Sequence, residues 1–277
     1  MAVVELSSDP SGIYLKAARG LLPSRRGASL PDREIMRRGV AVDLDRLASY
    51  NRVCGFRLGD TLPATYPHVL AFPLAMTLMT GSDFPFPAVG IVHVANRITV
   101  RRPVSAGARL DLLVRAENLR DHDRGRVFDM VATASVDGEI VWSGVSTYLS
   151  KNAAKSDGRG KRDHPPAPAP TAVWNVPARV GGDYAAVSGD HNPIHTSRIG
   201  AKLFGFPRPI AHGMWTKARA VAALEGRLPA AYTVDVAFKQ PILLPATVGF
   251  TARERDDGWD FRVDGKRPHL AGQVTPP

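Results

Sequence analysis

The chain has 277 residues, of which 44% are hydrophobic and 22% are charged. This composition is that of a globular protein and excludes a disordered one, and the length suits two domains of ordinary size. No apolar run is long enough to span a bilayer, and the first residues lack the basic-then-apolar pattern of a secretory signal. The single cysteine, Cys54, has no partner for an internal disulfide. We therefore predict a cytoplasmic protein with no membrane span.

The formal net charge is +10, which favours anionic partners. The basic residues are scattered and do not alternate with aromatic ones, and neither a zinc-finger nor an RNA-recognition signature is present. The charge therefore points to a phosphate-bearing small molecule or an acidic carrier protein, and away from nucleic acid.

In the N-terminal half, residues 50–56 predict a polar turn. The apolar segment at 71–79 comes next and is long enough for a helix. Runs rich in Val, Ile and Thr come next, and their partial alternation predicts antiparallel strands. These runs cover residues 91–100, 109–118, 126–136 and 139–149.

Residues 151–172 show no apolar periodicity, are first charged and then rich in Pro and Ala, and predict a linker. The linker separates an N-terminal unit with a lead-in, residues 1–150, from a C-terminal unit, residues 173–277. In the second unit the pattern predicts a helix followed by strands. The helix covers 212–224, and the strands cover 232–239, 247–255 and 259–265.

The two halves resemble each other in three segments that occur in the same order, at offsets that differ by only a few residues. Residues 50–56, 67–74 and 99–103 match residues 184–190, 207–214 and 237–241. Such a repeat predicts two units of the same architecture. Each unit has one central helix followed by an antiparallel sheet, so the fold class is α+β, with the two sheets pairing edge to edge.

The stretch YAAVSGDHNPIH, residues 184–195, concentrates polar chemistry in a short space. Asp190 and His195 are a carboxylate and an imidazole, a pair that can manage two proton transfers in one reaction. Pro193 should prevent a regular helix from running through them, so we expect both on a turn, with Asn192 orienting either. The alternative is an ordinary surface turn, which Asp, Asn and Pro also favour.

Gly213 lies where the second apolar helical segment begins. A backbone N–H at a helix N-terminus can stabilise a developing oxyanion. We expect the preceding residue, His212, to be a buried core histidine. Asp190, His191 and His195 could hold a metal ion, but no further ligand is obvious and their spacing matches no zinc pattern, so no metal is predicted.

The run from Tyr184 to His195 resembles the hydratase 2 motif of the MaoC-like (R)-specific enoyl-thioester hydratases and dehydratases, with every key position present. Residues 210–214, IAHGM, resemble the start of the central helix in the same family. The resemblance is close over the C-terminal half and weak over the N-terminal half. It implies the hot-dog fold, a long helix wrapped by an antiparallel sheet, and the repeat then implies a double hot dog.

The resemblance also implies a reaction, the reversible addition of water to a trans-2-enoyl thioester to give the (R)-3-hydroxyacyl thioester. Asp190 and His195 would hold the water and be catalytic. The Gly213 N–H would bind the thioester oxygen, and Asn192 would orient the water or His195. The substrate would be carried by coenzyme A or acyl carrier protein, and neither a metal nor a redox cofactor would be needed.

The N-terminal half lacks this chemistry. Phe56 stands at the position of Asp190, Phe72 at that of His212 and Pro73 at that of Gly213. We therefore expect a catalytically degenerate unit that supplies the pairing surface and space for the acyl chain. Pro73 is expected to break its central helix.

Two other functions share the fold and the thioester, a hot-dog acyl thioesterase and a non-catalytic acyl-thioester binding subunit. The basic residues near the motif, Arg198, Lys202 and Arg208, could contact phosphate or simply be solvated. The sequence leaves open the acyl chain length, the carrier and the physiological direction. It also leaves open whether the protein is a monomeric pseudo-dimer or a homodimer.

Overall fold

The structure is a computed structural model that describes residues 2–8, 27–151 and 169–277. Part of the predicted lead-in and most of the predicted linker lie outside these residues. At the two ends of the predicted linker, one strand ends at Lys151 and the next begins at Ala172. The linker and the unit boundaries therefore stay predictions.

The strands of the described residues form one eleven-stranded sheet, in the order β1-β2-β4-β5-β6-β3-β8-β11-β10-β9-β7. Every neighbouring pair is antiparallel except β1 and β2. The strands are β1 (Ala2–Glu5), β2 (Arg33–Val40), β3 (Val92–Val100), β4 (Leu110–His122), β5 (Gly125–Val136), β6 (Glu139–Lys151), β7 (Ala172–Val176), β8 (Tyr232–Phe238), β9 (Ala246–Arg255), β10 (Gly258–Asp264) and β11 (Pro268–Thr275).

Six helices of the described residues accompany this sheet, and two of them are central. The helices are α1 (Leu44–Cys54), α2 (Tyr66–Met79), α3 (Val180–Ser188), α4 (Pro193–Thr196), α5 (Arg198–Leu203) and α6 (Gly213–Ala223). Helix α2 packs against β2, β4 and β5, and α6 packs against β10. This arrangement confirms the α+β class. No helix of the described ranges is long and apolar enough to cross a membrane.

The two halves meet where β3 pairs with β8. Arg97 lies directly opposite Asp235, and these two residues are 138 positions apart, which is the offset of the third matched segment pair. Equivalent residues of a repeat oppose each other only where a local two-fold axis passes between them. An ion pair of 2.6 Å joins them. The predicted edge-to-edge pairing of the two units is confirmed.

The predicted polar turn at the start of each repeat is wrong, because each matched segment contains the end of a helix. Gly55 caps the C-terminus of α1, with φ 82°, and Gly189 caps that of α3, with φ 79°. Glycine adopts this left-handed conformation without steric cost and so ends a helix readily. The ring centroids of Tyr50 and Tyr184 lie 6.1 Å apart, so the two units contact each other here.

Helix α2 runs through Pro73 without the predicted break. Proline removes one backbone donor from a helix, but the flanking turns bury Leu70 and Leu74, and Thr77 Oγ1 donates to the Pro73 carbonyl at 2.9 Å. Burial of the helix on both sides of the proline outweighs one lost hydrogen bond. The expected break of the N-terminal central helix is therefore wrong.

Candidate active site

Asp190 lies in the loop between α3 and α4, on a turn as predicted. Its N–H donates to Ser188 Oγ at 3.2 Å, and the N–H of Asn192 donates to Asp190 Oδ1 at 3.2 Å. The side chain is 29% exposed, so water or substrate can reach a carboxylate that the local backbone already holds in place.

His195 lies in the one-turn helix α4 and not on a turn, which corrects the prediction. Pro193 occupies the first position of this helix, where its missing N–H has no intrahelical partner to lose. The side-chain oxygen of Asn192 caps the same helix by accepting from Ile194 N at 3.3 Å. Asn192 therefore orients His195 through the backbone. A Cβ added at Gly181 would lie 2.1 Å from the His195 carbonyl oxygen, so α3 packs directly on α4.

The tautomer of His195 follows from its partner. His195 Nδ1 lies 2.8 Å from the carbonyl oxygen of Ile210, which can only accept, so Nδ1 carries the proton and Nε2 keeps a free lone pair. Burial lowers the pKa of His195 below its usual 6.5, while the nearby Asp190 charge acts in the opposite direction. The imidazole is therefore neutral near pH 7 and can accept a proton at Nε2.

His212 belongs to the site, although its sequence position suggested only a core residue. It is buried as predicted, at 3% exposure, but its ring stacks on that of His195 with the centroids 3.6 Å apart. Its Nε2 donates to the Asp190 carbonyl oxygen at 3.0 Å. Burial lowers the pKa of His212 to about 3, so its ring is neutral near pH 7. Its contacts hold both Asp190 and His195 in position.

Ligand atoms of Asp190, His195 and His212 all lie within 4.8 Å of one another. The third member of this cluster is therefore His212. The sequence had suggested His191, which is exposed. The two stacked rings are only 25° from parallel, so their in-plane lone pairs do not converge as tetrahedral ligands of a metal ion must. The cluster suits proton transfer better than ion binding.

Gly213 is the first residue of α6, as predicted, with His212 as the N-cap. The first N–H groups of a helix have no intrahelical acceptor. A Cβ added at Gly213 would lie 3.1 Å from the ring of Phe238, so a larger residue would crowd the space in front of this N–H.

The N-terminal unit adds three side chains that no local motif indicates, His68, His93 and Tyr148. The His93 ring stacks on Tyr148 at 4.5 Å and meets Phe238 at 4.9 Å, next to Gly213. The ring of His68 stacks on that of His93 with the centroids 6.2 Å apart, and burial lowers the pKa of His68 to about 4. Only the pairing of β3 with β6 brings His93 opposite Tyr148.

Lys217 holds the central helix of the site against the seam between the units. It is fully buried. Its Nζ donates to Asn96 Oδ1 at 2.6 Å, to Asn96 O at 3.1 Å and to Val234 O at 2.9 Å. Because Asn96 lies on β3 and Val234 on β8, one side chain fixes α6, and with it Gly213, to both strands.

A continuous sheet, antiparallel except at β1, surrounds two central helices, and a carboxylate and an imidazole lie beside the start of the second helix. These features define a double hot-dog protein of the MaoC-like class. The chain belongs to the MaoC-like family. A family model described as the MaoC like domain matches residues 178–267, the part of the chain that contains all four predicted site residues.

The comparisons with known proteins agree on this class. The chain is 43% identical over 277 residues to 3-hydroxyacyl-thioester dehydratase X of Mycobacterium tuberculosis, covering 96% of this chain and 99% of that protein. The crystal structure of HtdX of Mycobacterium tuberculosis superposes with a TM-score of 0.80 at 42% identity, covering 88% of this chain and 100% of that one.

A conserved hypothetical protein of Mycobacterium tuberculosis that has a double hotdog fold superposes with a TM-score of 0.51, covering 86% of this chain and 92% of that one. At 12% identity it supports the fold alone. Together with HtdX it confirms the predicted double hot dog.

Proposed function

We propose that the protein catalyses the reversible hydration of trans-2-enoyl thioesters to (R)-3-hydroxyacyl thioesters, and the reverse dehydration, in fatty-acid metabolism. The observation that carries this proposal is the neutral His195, with Nε2 free to accept a proton, beside the partly exposed Asp190 and the N-terminus of α6. The similarity to a protein named 3-hydroxyacyl-thioester dehydratase supports the same reaction.

In dehydration, His195 Nε2 takes the proton from C2 of the substrate, and the Gly213 N–H stabilises the charge that develops on the thioester oxygen. In this step Asp190 starts in its protonated form, holding the one proton that the pair shares, and gives it to the C3 hydroxyl, which leaves as water while the C2–C3 double bond forms. Transfer of the proton from His195 to Asp190, whose reactive atoms lie within 4.8 Å, restores the starting state. Hydration runs through the same steps in reverse.

The N-terminal unit serves binding in this proposal. Phe56 and Phe72, which replace Asp190 and His212, are apolar and cannot transfer protons, and Pro73 has no N–H to offer an oxyanion. We assign residues 1–150 to this degenerate unit and residues 173–277 to the catalytic one, with the acyl chain of a coenzyme A or carrier-protein thioester extending into the first. Cys54 is buried as a free thiol, which suits a cytoplasmic location.

The reaction class can be tested by following one short and one long trans-2-enoyl-CoA with two simultaneous readouts. Loss of enoyl absorbance without release of free thiol is the expected result. Release of thiol would instead identify a thioesterase. Tight binding of the substrate with neither signal would identify a binding subunit, and either result would overturn the proposal.

A further inference from the structure

Helix α5 follows α4, the helix that contains His195, and exposes apolar side chains along one face to solvent. Ile199 is 74% exposed and Leu203 is 78% exposed. They are four residues apart in the helix and so lie on the same face. Single exposed apolar residues are ordinary, but adjacent ones within a polar border mark an interaction site.

The border of this apolar face is positively charged. Arg198 and Lys202 alternate with the two aliphatic residues, Arg208 follows, and all three are exposed. None of the three forms an ion pair with another residue in the part of the chain that the structure describes. From residue 191 to residue 224 the sequence contains no Asp or Glu. We call Arg198, Ile199, Lys202, Leu203 and Arg208 the α5 patch.

The α5 patch is fixed rigidly to the proposed active site. A Cβ added at Gly200 would lie 2.5 Å from the Cβ of Pro193, so α5 packs closely on the helix that contains His195. After α5 the chain returns to the same helix, because Ile210 N donates to Ile194 O at 3.1 Å and Ile210 O accepts from His195 Nδ1. A partner bound at the patch is therefore held beside the catalytic pair.

We propose that the α5 patch is the docking surface for an acidic acyl carrier protein, which presents the acyl chain as a phosphopantetheine thioester. This inference rests on the proposed function. The nucleotide of coenzyme A would satisfy the cations but would leave Ile199 and Leu203 in water. A protein with acidic and apolar residues on one face covers both kinds of side chain, with the charges steering association and the apolar residues packing at the centre.

The test compares one acyl group on two carriers, a purified acyl carrier protein and coenzyme A. The variants are Ile199→Ser and Leu203→Ser, singly and together. Val173→Ser is the matched control, because Val173 is an exposed aliphatic residue too, at 61%, but lies on β7.

For the double variant we expect kcat/KM on the carrier-protein thioester to fall about tenfold, mainly through KM, with less than about a twofold change on coenzyme A. Lys202→Glu should lower the carrier-protein value further, and added salt should weaken the wild type on this substrate.

The other outcomes overturn the inference in distinguishable ways. Equal losses on both carriers would mean that the α5 patch serves catalysis or folding and not docking. A change of oligomeric state in the double variant, measured by size-exclusion chromatography with light scattering, would identify a second copy of the chain as the occupant. Activity on coenzyme A with none on the carrier protein would remove this inference and leave the proposed function standing. Failure on both carriers would remove the proposed function itself.

Discussion

At the scale of single residues, the space in front of Gly213 depends on the absence of a side chain. We predict that Gly213→Ala lowers kcat by about tenfold or more, because the new methyl group would lie 3.1 Å from the Phe238 ring and displace the thioester oxygen from the helix N–H. Steady-state kinetics measure the effect. Gly182→Ala is the control, because a Cβ there meets nothing within 4 Å; equal activity in the two variants would contradict the proposed role of Gly213.

Four residues of the candidate site could be predicted from the sequence because they lie in short local motifs. Asp190, Asn192 and His195 share one loop and the short helix after it, and Gly213 begins a helix with a clear apolar pattern. His212 was correctly predicted to be buried, but its stacking on His195 depends on how α6 meets α4. Residues that enter the site from another unit, such as His93, have no local signal at all.

At the scale of elements, Lys217 attaches α6 to the strands on both sides of the seam. We predict that Lys217→Met lowers the free energy of unfolding by about 3 kcal/mol, because it leaves the buried oxygens of Asn96 and Val234 without their donor. Urea denaturation measures this change. Lys239→Met, at an exposed lysine, should change stability by less than about 0.5 kcal/mol. A similarly small effect for Lys217→Met would show that the hydrogen bonds of the Lys217 side chain do not hold the helix in place.

The elements that were predicted correctly have the strongest local patterns. The seven predicted strands form with small shifts at their ends, because their Val, Ile and Thr residues alternate. Strands β1, β2, β7 and β11 were not predicted. The local pattern of β2 and β11 is weak, because half of the residues of REIMRRGV are charged and PHLAGQVT contains Pro, His and Gly. Pairing with β4 and with β8 and β10 decides their structure, and a single sequence does not contain that pairing.

At the scale of the whole molecule, buried neutral histidines make stability depend on pH. Burial lowers the pKa of His68 to about 4 and that of His212 to about 3, and it lowers those of His93 and His195 as well. In the unfolded chain each pKa is about 6.5. Below that pH the unfolded state binds more protons than the folded state, so stability must fall as the pH falls.

We predict that the free energy of unfolding is nearly independent of these histidines above about pH 7. Between pH 6.5 and pH 5 it should decrease by about 2 kcal/mol for each of His68 and His212, since both stay neutral in the fold over that range. Urea titrations at a series of pH values measure the trend. Equal or greater stability at pH 5 would mean that these imidazoles are charged in the native state.

The overall architecture could be predicted because the repeat is visible in the sequence. The third matched segment pair has the offset that relates Arg97 to Asp235, the two residues that face each other at the seam. The first matched segments were predicted as turns because Gly55 and Gly189 resemble turn residues. The helix before Gly189 has no clear apolar face, whereas the buried residues of α1, Leu47, Tyr50, Asn51 and Cys54, do follow helical spacing. The same segments in fact end α1 and α3, whose tyrosines meet between the units.

The proposed acid–base pair is tested by the rate of loss of enoyl-thioester absorbance for the wild type, Asp190→Asn and His195→Ala. Circular dichroism and thermal unfolding of each variant serve as the control for folding. We predict hydration by the wild type and a loss of about 100-fold or more in each folded variant, because general acid–base groups contribute at least that much. Near-normal turnover in either folded variant would contradict the assignment of Asp190 and His195 as the catalytic pair.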